Sequence, residues 1–445
     1  MGDARVLPVP APVSQWWLLV AAGALGLGAL AALALVVART PGVTTLLPAD
    51  AFPRALVVHV NLATLIWYVA MAGALWTEQL AAPRRRAATL AFGVALAGAV
   101  GVVAAGLTAA GAPVLANYIP FVDHPSFLAA LACFAAGGLA TALLSLRRPR
   151  DAAEWGFAIA RWPFLMAALD LVLRLGSGAS LVDALWGAGH ILQFGHLTLL
   201  MAIWLRLVER AGGTPLATRP AVALFAAAAL PATAAPLLQL VGMAGDAALH
   251  QFHTELMRWA NWPAPLLFGL LLGLRSPAAA WRADGFPASI GLFVAGCLAG
   301  MAIDRQTTMI PAHYHGTIGA FTLALMAAAL SRLSPQARAG AVSPRARPTR
   351  LPLTLYALGI SALIAGLAWS GALGAPRKSP FSGEGADLGA TLAASLTGLG
   401  GTVTVAGVLL FVIVAVPRIV PLCAHRPASV PPPARDAAPT FAAAR

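Results

Sequence analysis

The chain has 445 residues, of which 59% are hydrophobic and only 10% are charged, and its mean hydropathy is +0.80. A water-soluble protein of this length needs far more charge to cover its surface, so the composition excludes a soluble globular fold. The net charge of +13 does not indicate a nucleic-acid partner, because the arginines lie between apolar blocks, where they typically determine membrane topology.

Apolar blocks of the length that crosses a bilayer as a helix recur along the chain. The short alternating segments of a transmembrane barrel are not found. The sequence therefore predicts an all-α polytopic membrane protein with one twelve-transmembrane-helix domain over residues 1–426. A disordered cytoplasmic tail rich in Pro and Ala is predicted over 427–445. The predicted spans are 14–38, 54–79, 88–112, 125–146, 156–176, 182–206, 220–243, 256–274, 287–304, 309–331, 352–374 and 390–416.

Arginines cluster after every even-numbered predicted span. By the positive-inside rule this pattern places both termini in the cytoplasm. We expect a multi-pass protein of a bacterial-type inner (plasma) membrane. The clusters are Arg84, Arg85 and Arg86; Arg147, Arg148 and Arg150; Arg206, Arg210 and Arg219; Arg275 and Arg282; Arg332, Arg338, Arg345, Arg347 and Arg350; and Arg418, Arg426 and Arg435.

Four histidines share one predicted depth. His59 lies early in span two, His190 in span six, and His313 and His315 in span ten. At 1.5 Å per helical residue, all four are about 7–12 Å from the outer ends of their helices. Ionisable residues inside a membrane are costly and mark functional sites. A shared depth on three helices predicts a buried layer that holds a cofactor.

The pair His313 and His315 is the most informative motif. Residues two apart on a helix point about 200° away from each other, so one helix presents a ligand on each side at nearly one height. This arrangement suits two flat macrocycles, whereas one metal ion held by both side chains prefers a spacing of four. The alternative is a polar helix end that binds water. For His59 the alternative is a hydrogen bond to a carbonyl of a neighbouring helix. The matching depths favour haem ligation by neutral imidazole.

Two further motifs point to a known family. Trp186, Gly189 and His190 form W-x-x-G-H, and residues 374–378 read GAPRK in the last outward loop. With His59 and the H-x-H pair, these motifs resemble the catalytic subunit of the haem-copper oxidase superfamily, which includes cytochrome c oxidase subunit I and the nitric oxide reductase large subunit. That family also has twelve spans with both ends in the cytoplasm, so the resemblance covers nearly the whole chain.

The resemblance implies a role for each motif residue. His59 and His315 would be the axial ligands of a low-spin haem, and His313 the proximal ligand of a high-spin haem, so His313 and His190 would be catalytic. His190 would face the far side of the second haem, where the family binds copper or non-haem iron. Arg377 and Lys378 would bind the haem propionates, since these anions suit a guanidinium fork and an ammonium group.

The resemblance also implies cofactors and partners. Two haems, of b type, would carry electrons to O₂. The electrons would come from a cytochrome c-type or cupredoxin-like donor subunit, and O₂ or NO would be the small-molecule ligand.

Span seven departs from the family, because it lacks the adjacent histidine pair that completes the second metal site. The nearest histidines are His250 and His253, in the connection to span eight. They could complete a three-histidine site with His190, but interfacial polar residues are the better-supported interpretation because loops are naturally polar. Phe194 stands where many family oxidases have a tyrosine, and Gln193 is not the carboxylate of a nitric oxide reductase. Copper is therefore doubtful.

Three functions stay open on the sequence: a terminal oxidase-like enzyme, a nitric oxide reductase-like enzyme, and a copper-less haem protein for gas binding or electron relay. A transporter is disfavoured, since no internal repeat is found.

The arginine pattern predicts the result of a topology experiment. A reporter that is active only outside the membrane should be inactive when it is fused after Arg445, because twelve spans return the chain to the cytoplasm. The same reporter inserted after Lys378, in the last outward loop, should be active. Activity at Arg445 would contradict the predicted topology.

Overall fold

The computed structural model describes residues 12–48, 51–78, 80–214, 216–242, 245–333, 350–383 and 385–424. The predicted tail at 427–445 and Arg338, Arg345 and Arg347 of the fifth basic cluster lie outside these residues.

The described residues form helices joined mainly by short connections. The helices are α1 (Pro12–Arg39), α2 (Ala51–Val60), α3 (Trp67–Thr77), α4 (Arg85–Thr108), α5 (Pro125–Leu144), α6 (Ala152–Ile159), α7 (Arg161–Gly176), α8 (Leu181–Arg210), α9 (Thr218–Ala229), α10 (Ala234–Leu240), α11 (Asp246–Ala260), α12 (Pro263–Arg275), α13 (Pro277–Arg282), α14 (Phe286–Met301), α15 (Met309–Leu333), α16 (Arg350–Ala372) and α17 (Leu388–Ala424). Strands β1 (Pro113–Val114) and β2 (Phe121–Val122) pair antiparallel, with Pro113 opposite Val122.

Ten helical segments of the described residues are long and apolar enough to cross a membrane, which confirms an all-α, multi-pass membrane architecture. They are Pro12–Arg39, Ala51–Thr77, Arg85–Thr108, Pro125–Leu144, Ala152–Gly176, Leu181–Arg210, Thr218–Leu240, Met309–Leu333, Arg350–Ala372 and Leu388–Cys423. The predicted spans eight and nine correspond to two shorter helices, α12 and α14.

The predicted start of span eight, at residue 256, is wrong. Residues 256–260 belong to α11, an amphipathic helix that buries Leu249 and His253 and exposes Thr254. The next helix, α12, begins at Pro263, which suits a first helical turn because it has no N–H to leave unbonded. With 13 and 16 residues, α12 and α14 are about 20 and 24 Å long, shorter than the bilayer core of about 30 Å.

Three of the long segments are not uniform α-helices. A π-helical turn, Asn61–Ile66, joins α2 to α3 directly after His59 and Val60. A break at Ala160 separates α6 from α7, and a 3-10 turn at Leu230–Thr233 separates α9 from α10. Pro231 explains the last break, because proline cannot donate the helical hydrogen bond. Single π turns inside helices often lie at functional sites.

The two most buried segments are α8 and α15, each with 72% of its apolar window inside the bundle. They carry His190 and the pair His313 and His315. Around them, α14 packs on α15, α15 on α16, α16 on α17, and α17 returns to α1. The helices that carry the candidate ligands are therefore the centre of the bundle.

Glycines let α16 and α17 approach each other closely, as small residues do in membrane helix pairs. A Cβ atom added at Gly366 would lie 2.5 Å from the backbone nitrogen of Thr397 and 2.9 Å from the carbonyl oxygen of Ala393. Because both atoms belong to the α17 backbone, no side chain can move aside to make room.

Gly366→Ala should therefore destabilise the protein by about 1–3 kcal/mol, the usual cost of overpacking. The thermal unfolding temperature in detergent measures this loss. Gly93→Ala on α4 is the matched control, because a Cβ there meets nothing within 4 Å. Equal unfolding temperatures for the two variants would contradict the close packing of α16 on α17.

Candidate functional site

The loops and helix ends around the four predicted histidines meet at one end of the bundle, here called the histidine end. It comprises the C-terminus of α1, the N-termini of α2, α8 and α15, loop 109–124 and loop 373–387. Three backbone contacts join these parts: Thr308 N to Ala375 O at 2.9 Å, Arg377 N to Gln306 O at 3.3 Å, and Phe381 N to Ala38 O at 3.0 Å.

All four imidazoles bind a backbone carbonyl through Nδ1. The Nδ1 atoms of His59 and His313 lie 2.9 Å from Gly28 O on α1 and 2.7 Å from Gly296 O on α14. The Nδ1 atoms of His190 and His315 lie 2.8 Å from Trp186 O and 2.7 Å from Pro311 O, each one turn back on the same helix. A carbonyl oxygen only accepts, so each Nδ1 carries a proton, and in the neutral imidazole that a membrane favours Nε2 then keeps its lone pair.

Fixing one ring nitrogen in this way is how proteins orient metal-bound histidine and set its tautomer. Within the part of the chain that the structure describes, Nε2 of His59, His313 and His315 makes no hydrogen bond. These three residues are half-buried, so each presents a neutral imidazole nitrogen as a potential ligand.

His313 and His315 face different neighbours, as the helical angle between them predicts. His313 lies against α14, where a Cβ added at Gly300 would come within 2.6 Å of its Nδ1. His315 lies close enough to His59 for the two to interact electrostatically. His315 therefore interacts with His59 on α2, whereas His313 contacts α14.

Basic side chains lie beside this layer at the histidine end. Arg39, at the C-terminus of α1, interacts electrostatically with Tyr314 and His315, and its guanidinium carbon is 5.6 Å from the Phe52 ring centre. Arg377 interacts electrostatically with Tyr314 and Tyr118. Sequence reasoning missed Arg39, although an arginine on the arginine-poor side of the first span was a usable signal.

Lys378, the only lysine of the chain, binds loop 109–124. Its Nζ donates to the carbonyl of Leu115 and, at 2.8 Å, to Oδ1 of Asn117. Burial, together with the neighbouring Arg377, lowers the pKa of Lys378 to about 8. Its contacts join loop 373–387 to loop 109–124.

His190 has a second partner that the sequence did not reveal. The hydroxyl of Tyr118, from loop 109–124, lies 3.0 Å from Nε2 of His190, and the ring centres are 4.3 Å apart. Burial raises the pKa of Tyr118 to about 12, so the phenol is protonated at neutral pH and donates this hydrogen bond. In this arrangement both ring nitrogens of His190 are bonded.

His250 and His253 lie on α11, which packs against α8. His250 is exposed and stacks on Trp186, with ring centres 3.7 Å apart. His253 is fully buried, which corrects the expectation of an interfacial residue: its Nε2 lies 3.6 Å from Oδ1 of Asp170. Its ring centre is 5.8 Å from that of His190. His253 is buried because it lies on the inward face of α11.

The other histidines lie apart from the layer. His196 is deeper in the bundle, with its ring centre 4.9 Å from that of Tyr68. His124 accepts a hydrogen bond from Ser126 N at the start of α5. His425 lies outside the described residues.

The donor set fits haem. Neutral imidazole nitrogens fixed through Nδ1 are haem ligands, and the guanidinium groups of Arg39 and Arg377 suit anionic propionates. The described residues contain no group of three or more His, Cys, Asp or Glu side chains placed to hold a metal ion. The ring centres of His190 and His253 lie 5.8 Å apart, and the three-histidine site that would join them with His250 stays a prediction.

Comparison with known proteins supports the fold. No family model matches the chain. The chain is 23% identical over 485 aligned residues to an uncharacterized protein of Rickettsia prowazekii (strain Madrid E), with 89% of this chain and 94% of that protein covered. It is 24% identical over 321 residues to an uncharacterized protein of Aquifex aeolicus (strain VF5), with 68% and 80% covered.

Among solved structures, the fold is similar to a haem-copper terminal oxidase determined as a dimer by cryo-electron microscopy. The TM-score is 0.65 with 14% identity, over 93% of this chain and 84% of that one. The chain therefore has the fold of a haem-copper terminal oxidase.

The environment of Lys378 predicts its reactivity. Because its pKa is lowered to about 8, an amine-reactive reagent should label it with a midpoint near pH 8 rather than near the ordinary lysine value of 10.5. Mass spectrometry of labelled peptides measures this, and lysine in the unfolded chain is the control. A midpoint near 10.5 in the folded protein would contradict the buried contacts of Lys378.

Proposed function

We propose that this chain is a respiratory membrane protein of the haem-copper oxidase superfamily that binds a low-spin and a high-spin haem and transfers electrons to O₂. The observation that carries the proposal is the set of neutral imidazoles at His59, His313 and His315, each fixed through Nδ1 and each keeping Nε2 as a potential ligand. The similarity of the fold to that of a terminal oxidase supports the same proposal.

His59 and His315 would hold the low-spin haem, because they come from different helices and interact electrostatically with each other. His313 is the proposed proximal ligand of the high-spin haem. Bound haem would supply one-electron transfer at the first site and gas binding at the second. The protein holds the imidazoles neutral and oriented, and so fixes which nitrogen faces the iron.

Arg39 and Arg377 are the proposed partners of the haem propionates. Both guanidinium groups interact electrostatically with Tyr314, and a planar fork can bind a carboxylate through two hydrogen bonds. Lys378 contributes to the same region, since its ammonium group holds loop 109–124 against loop 373–387.

We propose that α12 and α14 complete a twelve-span bundle with both termini in the cytoplasm of a bacterial-type cell. The histidine end would then face outward, as the arginine-rich loops at the opposite end support. An electron-donor subunit of cytochrome c or cupredoxin type would reach the haem edges from that side.

A second candidate is a copper-less haem protein that binds a gas or relays electrons. The bond between Tyr118 and His190 favours it, because Nε2 of His190 already accepts a hydrogen bond at 3.0 Å. In this version His190 acts on the bound gas as a polar neighbour instead of holding a second metal. Metal analysis of the purified protein separates the two candidates: stoichiometric copper supports the first, and haem without copper supports the second.

Substitution of the ligands tests the haem assignments. His59→Ala and His315→Ala should each abolish the six-coordinate low-spin absorption spectrum, because each removes one axial imidazole. His313→Ala should leave that spectrum and abolish CO binding to the high-spin haem. The absorption spectrum of the purified, reduced protein measures both effects.

His124→Ala is the control, because His124 caps α5 and lies apart from the layer. It should keep both spectra. A purified wild-type protein without haem, or a His59→Ala or His315→Ala protein with the full low-spin signal, would refute the proposal.

A further inference from the structure

Loop 109–124 carries a tyrosine to His190, although spans six and seven contain none. Tyr118 packs edge to face on His190 at 4.3 Å between ring centres, and its hydroxyl lies 3.0 Å from Nε2. Because Nδ1 of His190 is bonded to Trp186 O at 2.8 Å, the phenol completes the hydrogen bonding of the imidazole.

The backbone is strained where it places this ring. Tyr118 has a φ of +67°, a left-handed conformation that bulky residues rarely adopt, and such strain persists only where the surroundings enforce it. On the facing helix, a Cβ added at Gly189 would lie 2.5 Å from Cβ of Tyr118. Both the strained loop and the glycine are therefore required to bring the phenol to His190.

Three polar side chains from separate elements hold the loop in this position. Nδ2 of Asn61, in the π turn after His59, donates to Pro120 O at 2.7 Å. The guanidinium of Arg54 donates to Ala109 O at 3.0 Å and to Gly111 O at 2.9 Å. Lys378 binds the loop from the opposite side, through Leu115 O and Asn117 Oδ1. The position of Tyr118 is thus fixed by α2, the π turn and loop 373–387.

We propose that Tyr118 is a positioning residue for His190: its hydroxyl fixes the tautomer and orientation of the imidazole and thereby sets the polarity that a gas molecule bound to the high-spin haem meets. The proposal rests on the proposed function. A neutral His190 bonded at both nitrogens has no proton to donate to a bound gas while it keeps these bonds. The phenol and the imidazole therefore act as one unit, and the ligand class is a small diatomic gas.

Infrared spectroscopy of the CO complex of the reduced protein tests this inference, because the C–O stretching band reports the polarity around the bound gas. Tyr118→Phe removes the hydroxyl and keeps the ring, so it should shift the band and change the CO dissociation rate about two- to tenfold, the effect of one hydrogen bond. The low-spin haem spectrum should stay unchanged. Tyr356→Phe is the matched control, because Tyr356 lies on α16, apart from His190, and should alter neither quantity.

Gly189→Ala provides a second route to the same result. It keeps the phenol but pushes it away from His190, so the band should shift as in Tyr118→Phe. This variant also decides the matter if Tyr118→Phe does not fold. In a His190→Ala background, Tyr118→Phe should have no additional effect, because the phenol acts through the imidazole.

The outcomes separate the two proposals. A wild-type protein that binds no haem refutes the proposed function and this inference together. A wild-type protein that binds haem and CO, with the band and the dissociation rate unchanged in Tyr118→Phe and Gly189→Ala, refutes the inference alone. A shift in Tyr118→Phe that persists in the His190→Ala background shows that Tyr118 acts directly and also overturns it.

Discussion

The hydrogen bond from a ring Nδ1 to a backbone carbonyl is the interaction on which the candidate site depends. A buried, unbonded imidazole is costly, and it could turn or exchange its proton between nitrogens. The carbonyl removes both difficulties, because it accepts a hydrogen bond from one ring nitrogen and leaves the other nitrogen as a potential ligand. For His59 and His313 the acceptors are Gly28 and Gly296, on neighbouring helices.

These two bonds require that the helices approach each other closely. A Cβ added at Gly28 would lie 3.2 Å from Cβ of Leu62 in the π turn, and one at Gly296 would lie 2.5 Å from the backbone nitrogen of Thr317. Membrane helices have no hydrophobic drive toward each other in lipid, so small residues that allow close contact decide which faces meet. Gly28 and Gly296 therefore have two roles. They allow the helices to pack closely, and their carbonyls orient the imidazoles of His59 and His313.

The sequence predicted the features that depend on helical periodicity and on depth in the membrane. The spacing of His313 and His315 was enough to predict that the two histidines face different neighbours from one helix. The sequence did not predict features that arise from contacts between distant segments. Residues 256–260 are apolar enough to continue a span, but they form the end of α11, because Leu249 and His253 bury one face of that helix. The role of Tyr118 could not be predicted either, because its contact with His190 depends on how loop 109–124 folds. Arg39 could have been found from the sequence, because it follows the first predicted span, whereas the arginine clusters follow the even-numbered spans.

The polar side chains of the bundle lie mainly towards its two ends, of which the histidine end is one, and this follows from the cost of charge in a membrane. Arg39, Arg377 and Lys378 lie at helix ends or in loops, where water shares the cost of their charge, while the neutral histidines lie one to two turns deeper. The hydrogen-bond donors of loop 109–124 enter from the same end. A cofactor with an apolar ring and anionic edges would suit both layers. Its ring would lie at the depth of the neutral imidazoles, and its anions would lie at the depth of the guanidinium groups. The gradient of polarity along the helices, more than any single residue, would therefore orient such a cofactor.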